Sequence, residues 1–347
     1  MATRAQRSRA ALGVGHAAGR EGLRSPVTAR GPASHAGAWD TYWRGTRENA
    51  AHREGGPQEP VLAAFWASFF QTALATGNPP ALLDLACGHG AVTGHALQVS
   101  PSLAPCCSDY SLSALQGLQQ RYPSARCVVA DAGHTPFADA SFDLVVSQFG
   151  VEYAGPEAPY EAARLVATGG TLALLVHVEG GAIYRECADN RDTVMALRAL
   201  NVLGLAQAAF DAGFALNAGI GTPEAFKAAE RAFTPAVRGL EQLLQTRGPQ
   251  AAGGLLQQLY TDIAHMYRRM SAYAPEDVRY WLGGMDGELT AYIGRMQSML
   301  DAGFSRAGMD ALAERLGAAG FSLRELSQLR VSEQAQAAAW VLVAQRR

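Results

Sequence analysis

The chain has 347 residues, 48% of them hydrophobic, and 29 basic against 31 acidic residues leave a formal net charge of −2. That length and apolar content suffice for one enlarged α/β domain or two smaller ones. The near balance of charge removes any global electrostatic argument for nucleic acid or an anionic membrane as partner, and no uninterrupted apolar run reaches the roughly 18 residues of a membrane span.

Residues 1–37 hold six Arg and one acid, Glu21. This composition predicts a disordered extension, with an organelle transit peptide as the alternative. Order is expected from Ala38, because Trp39, Tyr42 and Trp43 need a surface to pack on. Pro60–Thr76 places Leu62, Phe65, Trp66, Phe69 and Phe70 at helical spacing. Gly77-Asn78-Pro79-Pro80 then ends that helix.

From Ala81, strand-like and helix-like runs alternate. Ala81–Ala86, Leu103–Asp109, Ala125–Ala130, Phe142–Gln148 and Thr171–Val178 read as five strands. Ala91–Val99, a segment capped by Ser111 or Ser113 through Arg121, and Pro156–Ala167 read as helices, the last broken by Gly169-Gly170. Strands without polar alternation, each followed by a helix, predict a parallel sheet covered on both faces and doubly wound. Residues 180–305 lose the strand signal and predict about four to six helices, one opening at Thr222-Pro223-Glu224. Ala307–Ala319 then reads as a helix, and Phe321–Val331 and Ala338–Gln345 as two closing strands close enough in sequence to form an antiparallel hairpin.

The five cysteines, Cys87, Cys106, Cys107, Cys127 and Cys187, have no paired spacing. They read as free thiols in a reducing compartment, which points to the cytoplasm. No CxxC or HExxH pattern suggests a metal.

Chemistry concentrates at the ends of the first strands. Gly88, Gly90 and Gly94 form a glycine turn between a strand and a helix, which brings backbone N–H groups close to a ligand. Asp84 precedes that turn. A carboxylate there repels a pyrophosphate and suits a ligand with an ammonium group. Asp109, 25 residues on at the end of the second strand, can accept both hydroxyls of a ribose. Asp131, with the Ala132 N–H beside it, can read an adenine edge. An amino-acid end, a ribose and an adenine together describe S-adenosylmethionine (SAM).

These segments resemble the class I SAM-dependent methyltransferases. LLDLACGHG is similar to the family's glycine-rich first motif, with Ala86 in place of its first glycine. CSDYS resembles the ribose-binding segment, VVADAGHTPFADASFDLVVSQFGVEY the adenine-binding acid with the fourth strand, and RLVATGGTLALLVH the following helix, turn and fifth strand. The resemblance covers about residues 80–178 and 306–347. It implies a seven-stranded, mostly parallel sheet and cofactor contacts at Asp84, Ala86, Gly88, Gly90, Asp109, Tyr110, Asp131, Ala132 and Gln148. It also implies that the helical insertion covers the active site. The expected layout is a 1–37 extension, a 38–179 SAM-binding core, a 180–305 helical cap and a 306–347 return to the core.

The segment Gln148–Tyr153 differs from the Asn-Pro-Pro-Tyr pattern this family uses on amide or exocyclic nitrogens. It is closer to enzymes acting on oxygen or carbon of small molecules, so a small-molecule acceptor is expected. Glu152, Tyr153 and His177 are candidate general bases, with packing or capping as their alternative roles. His265 and the Tyr/Met-rich faces of 259–300 could line a pocket or be plain surface and core. A NAD(P)-dependent oxidoreductase and a non-catalytic SAM-fold scaffold remain as alternative functions.

Overall fold

The computed structural model describes residues 60–75, 79–330, 332 and 335–347. The N-terminal extension and the aromatics Trp39, Tyr42 and Trp43 lie outside the described residues. The elements in chain order are α1 (Pro60–Ala73), β1 (Leu82–Leu85), α2 (Ala91–Val99), β2 (Cys106–Asp109), α3 (Leu112–Arg121), β3 (Arg126–Val129), β4 (Phe142–Gln148), α4 (Ala158–Arg164) and β5 (Val166–Val176). Five helices follow: α5 (Ala182–Ala199), α6 (Val202–Asn217), α7 (Pro223–Arg247), α8 (Leu255–Arg268) and α9 (Pro275–Asp301). The chain closes with α10 (Arg306–Ala318), β6 (Phe321–Arg330) and β7 (Ala337–Arg346).

The strands form one seven-stranded sheet in the order β3-β2-β1-β4-β5-β7-β6. Strands β1 to β5 are parallel, and β7 runs antiparallel between β5 and β6. The order steps outward from β1 in one direction, then restarts at β4 in the other. The carboxyl ends of β1 and β4 therefore flank the crevice where a doubly wound sheet receives its ligand. The antiparallel β7 departs from the all-parallel dinucleotide-binding arrangement.

The central strands of the sheet are covered on both faces, as their continuous apolar runs require, while the edge strands β3 and β6 are partly exposed. Leu62, Trp66 and Phe70 of α1 and Val92 and Ala96 of α2 pack with Leu144, Val146, Leu175 and Val341 on one side. Met309, Leu312 and Leu316 of α10 and Ala158 and Ala162 of α4 pack with Leu83, Leu85, Val145 and Leu172 on the other. Ser111 caps α3, its side chain accepting from Ala114 N at 3.2 Å, and Thr222 caps α7 in the same way.

Two segments differ from the sequence expectation. The fourth helix stops at Arg164, and β5 begins at Val166 rather than Thr171. Gly169-Gly170 do not end a helix; they lie in a bulge, where the pairing jumps from Phe142–Val166 to Leu144–Thr171. The stretch Ala182–Asn217 contains the one helical run among the described residues long and apolar enough, by length and composition, to cross a membrane. The count of uninterrupted apolar residues missed it because polar side chains interrupt the run. Its Val194, Leu197, Val202, Ala206, Ala209 and Phe210 are core of the helical insertion, where they meet Leu256, Leu259, Met266, Trp281 and Met285. Most of the Tyr/Met-rich faces of 259–300 are thus core.

Candidate functional site

Asp84 lies inside β1 and is 1% exposed. Its Oδ2 accepts from Thr93 N at 3.0 Å and from the Thr93 hydroxyl at 2.6 Å. Among the described residues its Oδ1 is buried without a partner. Burial raises its pKa from 3.8 to about 7, against the lowering effect of the Thr93 bonds and with a small further rise from Asp109. Asp84 therefore braces the first turn of α2 with one oxygen and leaves the other for a donor.

This pKa makes a prediction. The folded state holds the Asp84 proton up to about pH 7 while an unfolded chain releases it near 3.8. The folded state binds more protons in that window, so stability falls as pH rises through it. Asp84→Asn cannot ionise. Its stability relative to the parent should rise between pH 4 and pH 7, by up to about 4 kcal/mol for a shift of roughly three units. Urea unfolding across that range checks it, and parallel curves for the two proteins would refute the assignment.

The glycine turn follows. Ala86, Gly88 and Gly90 all have positive φ, at 53°, 52° and 80°. Ala86 adopts this left-handed backbone with a side chain, where a glycine costs less. The turn is tied to β2: Gly88 N donates to Asp109 Oδ2 at 2.8 Å, and Cys87 N to Ser108 O at 3.1 Å. Asp109 Oδ1 accepts from Ser111 N at 2.8 Å. Burial pushes the Asp109 pKa up and its backbone N–H donors pull it down, with a net rise. Next to it, Tyr110 and Leu112 are 56% and 55% exposed, two large apolar surfaces at the rim.

Asp131, exposed, accepts from Gly133 N at 2.8 Å. Ala132 beside it is buried. The Ala130 N–H donates to Asp109 O at 3.1 Å, which joins the third strand end to the second. Gln148 ends β4, and its Oε1 accepts from Trp66 Nε1 of α1 at 2.6 Å.

The segment after β4 closes the crevice. Phe149 has φ 51°, another left-handed side-chain-bearing residue. A Cβ on Gly150 would stand 2.6 Å from both Ala86 Cβ and Ala86 O, so this position takes only glycine without displacing the glycine turn. Gly150→Ala should cost about 1–3 kcal/mol of stability and weaken cofactor binding as well. Adding Ala86→Gly should restore part of the loss, because the clash with the carbonyl remains. Thermal melts of the two variants test this, and a silent Gly150→Ala would contradict the close approach.

Glu152 and Tyr153 lie in a 3₁₀ turn, Val151–Ala154. Glu152 Oε1 accepts from His177 N at 3.1 Å and meets His177 Nδ1 at 2.7 Å. Its Oε2 is buried and, among the described residues, unpartnered. The Tyr153 hydroxyl stands 3.4 Å from His177 Nδ1 and 3.5 Å from Nε2. The structure thus brings together all three residues the sequence offered as bases, along with the nine offered as cofactor contacts, at one edge of the sheet. His265 is not among them; it lies half-buried on α8, edge-on to Tyr273. The sequence reading missed Thr93, Trp66 and Phe149. A buried acid inside an apolar strand demands a donor, so Thr93 at the start of the next helix was the findable one.

A doubly wound sheet with a glycine turn after β1 and acids at the ends of β2 and β3 is a nucleoside-binding α/β domain. Residues 83–174 match the family model described as "Methyltransferase domain". That segment is similar to the methyltransferase domains the family model describes, which use SAM as methyl donor. Among curated proteins nothing matches the sequence. Solved structures similar to it include the YcgJ protein from Bacillus subtilis (22% identity over 33% of this chain and 50% of that one, TM-score 0.29). Others are a SAM-dependent methyltransferase from Mesorhizobium loti (19%, 34% and 54%, 0.29) and geranyl diphosphate C-methyltransferase from Streptomyces coelicolor A3(2) (17%, 42% and 67%, 0.32). The chain spans about half to two thirds of the length of these structures.

The residues present fit the cofactor. The unpartnered Asp84 Oδ1 suits its ammonium end, reached directly or through water. The Asp109 carboxylate, held in place by backbone donors, keeps lone pairs for the ribose hydroxyls. Asp131, Ala132 and the open faces of Tyr110 and Leu112 suit the adenine.

Proposed function

We propose that this protein transfers a methyl group from SAM to oxygen or carbon of a small molecule. The observation that carries the reading is the joint placement of Asp84, Asp109 and Asp131 around one glycine turn at the switch point of the sheet. SAM supplies an electrophilic methyl on a sulfonium. Asp109 and the turn orient the nucleoside, Asp84 orients the amino-acid end, and Gln148, pinned by Trp66, borders the acceptor side. Such positioning, with water excluded, is what a displacement at a methyl carbon needs.

The helical insertion 180–305 serves in this reading as the cover of the acceptor. Ile183 and Cys187 of α5 and Met296, Met299 and Leu300 of α9 form an apolar cluster on which Phe149 and Tyr153 pack. Those walls suit a small apolar acceptor better than a nucleic acid. The five free thiols support a reducing compartment such as the cytoplasm. The test is transfer of label from methyl-labelled SAM into fractionated metabolite, RNA and protein extracts. Label in the small-molecule fraction is expected. Label confined to RNA or protein would refute the acceptor class, and absence of SAM binding by calorimetry would refute the activity.

A further inference from the structure

We infer that Glu152 and His177 form a proton-accepting pair for the acceptor, with His177 Nε2 the base and Glu152 its positioning residue, and that the acceptor is therefore an apolar or aromatic hydroxyl compound. The inference rests on the methyl-transfer reading above and specifies its acceptor side.

The pair is built rather than incidental. Glu152 and His177 are 5% and 3% exposed, and the Glu152 side chain is fully buried. One carboxylate oxygen holds both the backbone N–H and the ring Nδ1 of His177. That double hold fixes the ring's place and makes Nδ1 the protonated nitrogen, so the lone pair sits on Nε2. Among the described residues Nε2 meets only the Tyr153 hydroxyl, at 3.5 Å. An anchoring role alone would use both oxygens of a buried carboxylate; Glu152 Oε2 has no partner among the described residues, and a buried acceptor left so is costly unless a ligand or water completes it.

The pair also stands beside the cofactor turn. Gly150, two residues before Glu152, is packed against Ala86 of the glycine turn. At the other end of the same turn, a Cβ on Gly133 would lie 3.0 Å from Ala154 O, next to Asp131. Phe149 lies 4.3 Å from the His177 ring, centroid to centroid, and Tyr153 5.5 Å. Both also pack on the apolar cluster of Ile183, Cys187, Met296, Met299 and Leu300, as do Tyr184 and Tyr292. The acceptor enters by parting Phe149 from these helices and finds aromatic and thioether walls.

In that setting the acceptor O–H proton passes to Nε2. The oxygen keeps the electron pair that methyl transfer requires, and the imidazolium is balanced by the Glu152 carboxylate. The pair then carries no net charge, so its apolar walls do not oppose the transfer. The proton leaves to solvent after turnover. Of the other titratable groups in the cluster, burial raises Cys187 to about 12 and pushes Tyr292 further up, so both stay neutral at working pH.

Two measurements on the full chain test this. Nitrogen-15 histidine NMR, with His177 assigned by His177→Asn, should show the Nδ1–H tautomer with a lone pair on Nε2. In Glu152→Gln, which loses the carboxylate that holds Nδ1–H, the tautomer balance should move toward Nε2–H. An Nε2–H tautomer in the parent protein overturns the proposal, whether or not an acceptor is in hand. Methyl-labelled SAM with a small-molecule extract as acceptor source gives the second readout. His177→Asn should lower label transfer by about 100-fold or more, and Glu152→Gln by about 10-fold, both with SAM affinity unchanged. The label should be released by hydriodic acid as methyl iodide, the mark of an O-methyl group. A His177→Asn protein with the parent rate and pH profile, or label on carbon or nitrogen, overturns it. Loss of SAM binding in the parent protein fails the methyl-transfer reading instead.

Discussion

Replacing Asp109 by Ala is expected to weaken SAM binding by at least about 100-fold, or roughly 2.7 kcal/mol, while the sheet stays folded. Two losses combine. The ribose hydroxyls lose an acceptor preset by the Gly88 and Ser111 N–H groups, each at 2.8 Å. The glycine turn also loses its clamp to β2, so the backbone that approaches the cofactor is no longer fixed. Stability should change much less. Asp109 is not part of the apolar cluster of Cys107, Leu115, Leu118 and Ala125 that joins α3 to the sheet. Its burial disfavours the charged form, as the raised pKa records, so removing it offsets part of the cost of the two freed N–H groups. Calorimetric titration with SAM and urea unfolding separate the two quantities. Asp109→Asn, which keeps one oxygen, should fall between. Unchanged affinity in Asp109→Ala would refute the ribose assignment, and a collapse of stability equal to the loss of affinity would mean the residue is architectural.

The acids were legible for a physical reason: a carboxylate at the end of an otherwise apolar strand has no role in the core and stands out from its surroundings. Their number was legible too, because Asp84 lies within a strand-like run and Asp109 and Asp131 each follow one. What the sequence did not carry is how each acid divides its oxygens. Asp84 reads equally well as ligand or brace; in the structure one oxygen holds Thr93 and the other is buried with no partner among the described residues. The Glu152–His177 pair was hidden because it is tertiary. The two residues are 25 apart, on a turn and a strand end that meet only because β4 and β5 are in parallel register, with Gln148 opposite Leu175. The start of β5 was hidden by Gly169-Gly170, which read as a break and are a bulge. In the insertion, α5 carries too many charged residues for its buried Ile183, Cys187, Val194 and Leu197 to stand out as a stripe, and α7 continues through Pro235, where a proline would predict an end. The closing hairpin was plain from β7, buried along nearly its whole length.

The largest stability effect should come from Trp66→Ala, about 3–5 kcal/mol. Trp66 is 0% exposed and stacks on Phe70 at 5.6 Å, with Phe65 and Phe69 edge-on at 5.0 and 5.7 Å. Its cluster includes Leu144 and Val146 of β4, Leu175 of β5 and Val341 of β7, so the ring, with Leu62 and Phe70, docks the helix on the middle of the sheet. Its Nε1 donates to Gln148 Oε1 at 2.6 Å, which ties that docking to the carboxyl end of β4. Trp66→Phe separates the two functions: it keeps most of the apolar contact and removes the hydrogen bond, for about 1 kcal/mol. The freed Gln148 side chain should then weaken SAM affinity or slow transfer more than the stability loss accounts for. Urea midpoints for both variants, with SAM titrations alongside, measure this. If Trp66→Ala costs less than about 1 kcal/mol, α1 does not depend on the ring for its docking. If Trp66→Phe leaves the affinity and the rate at parent values, Gln148 is held by something other than Trp66 and its place at the acceptor border is structural.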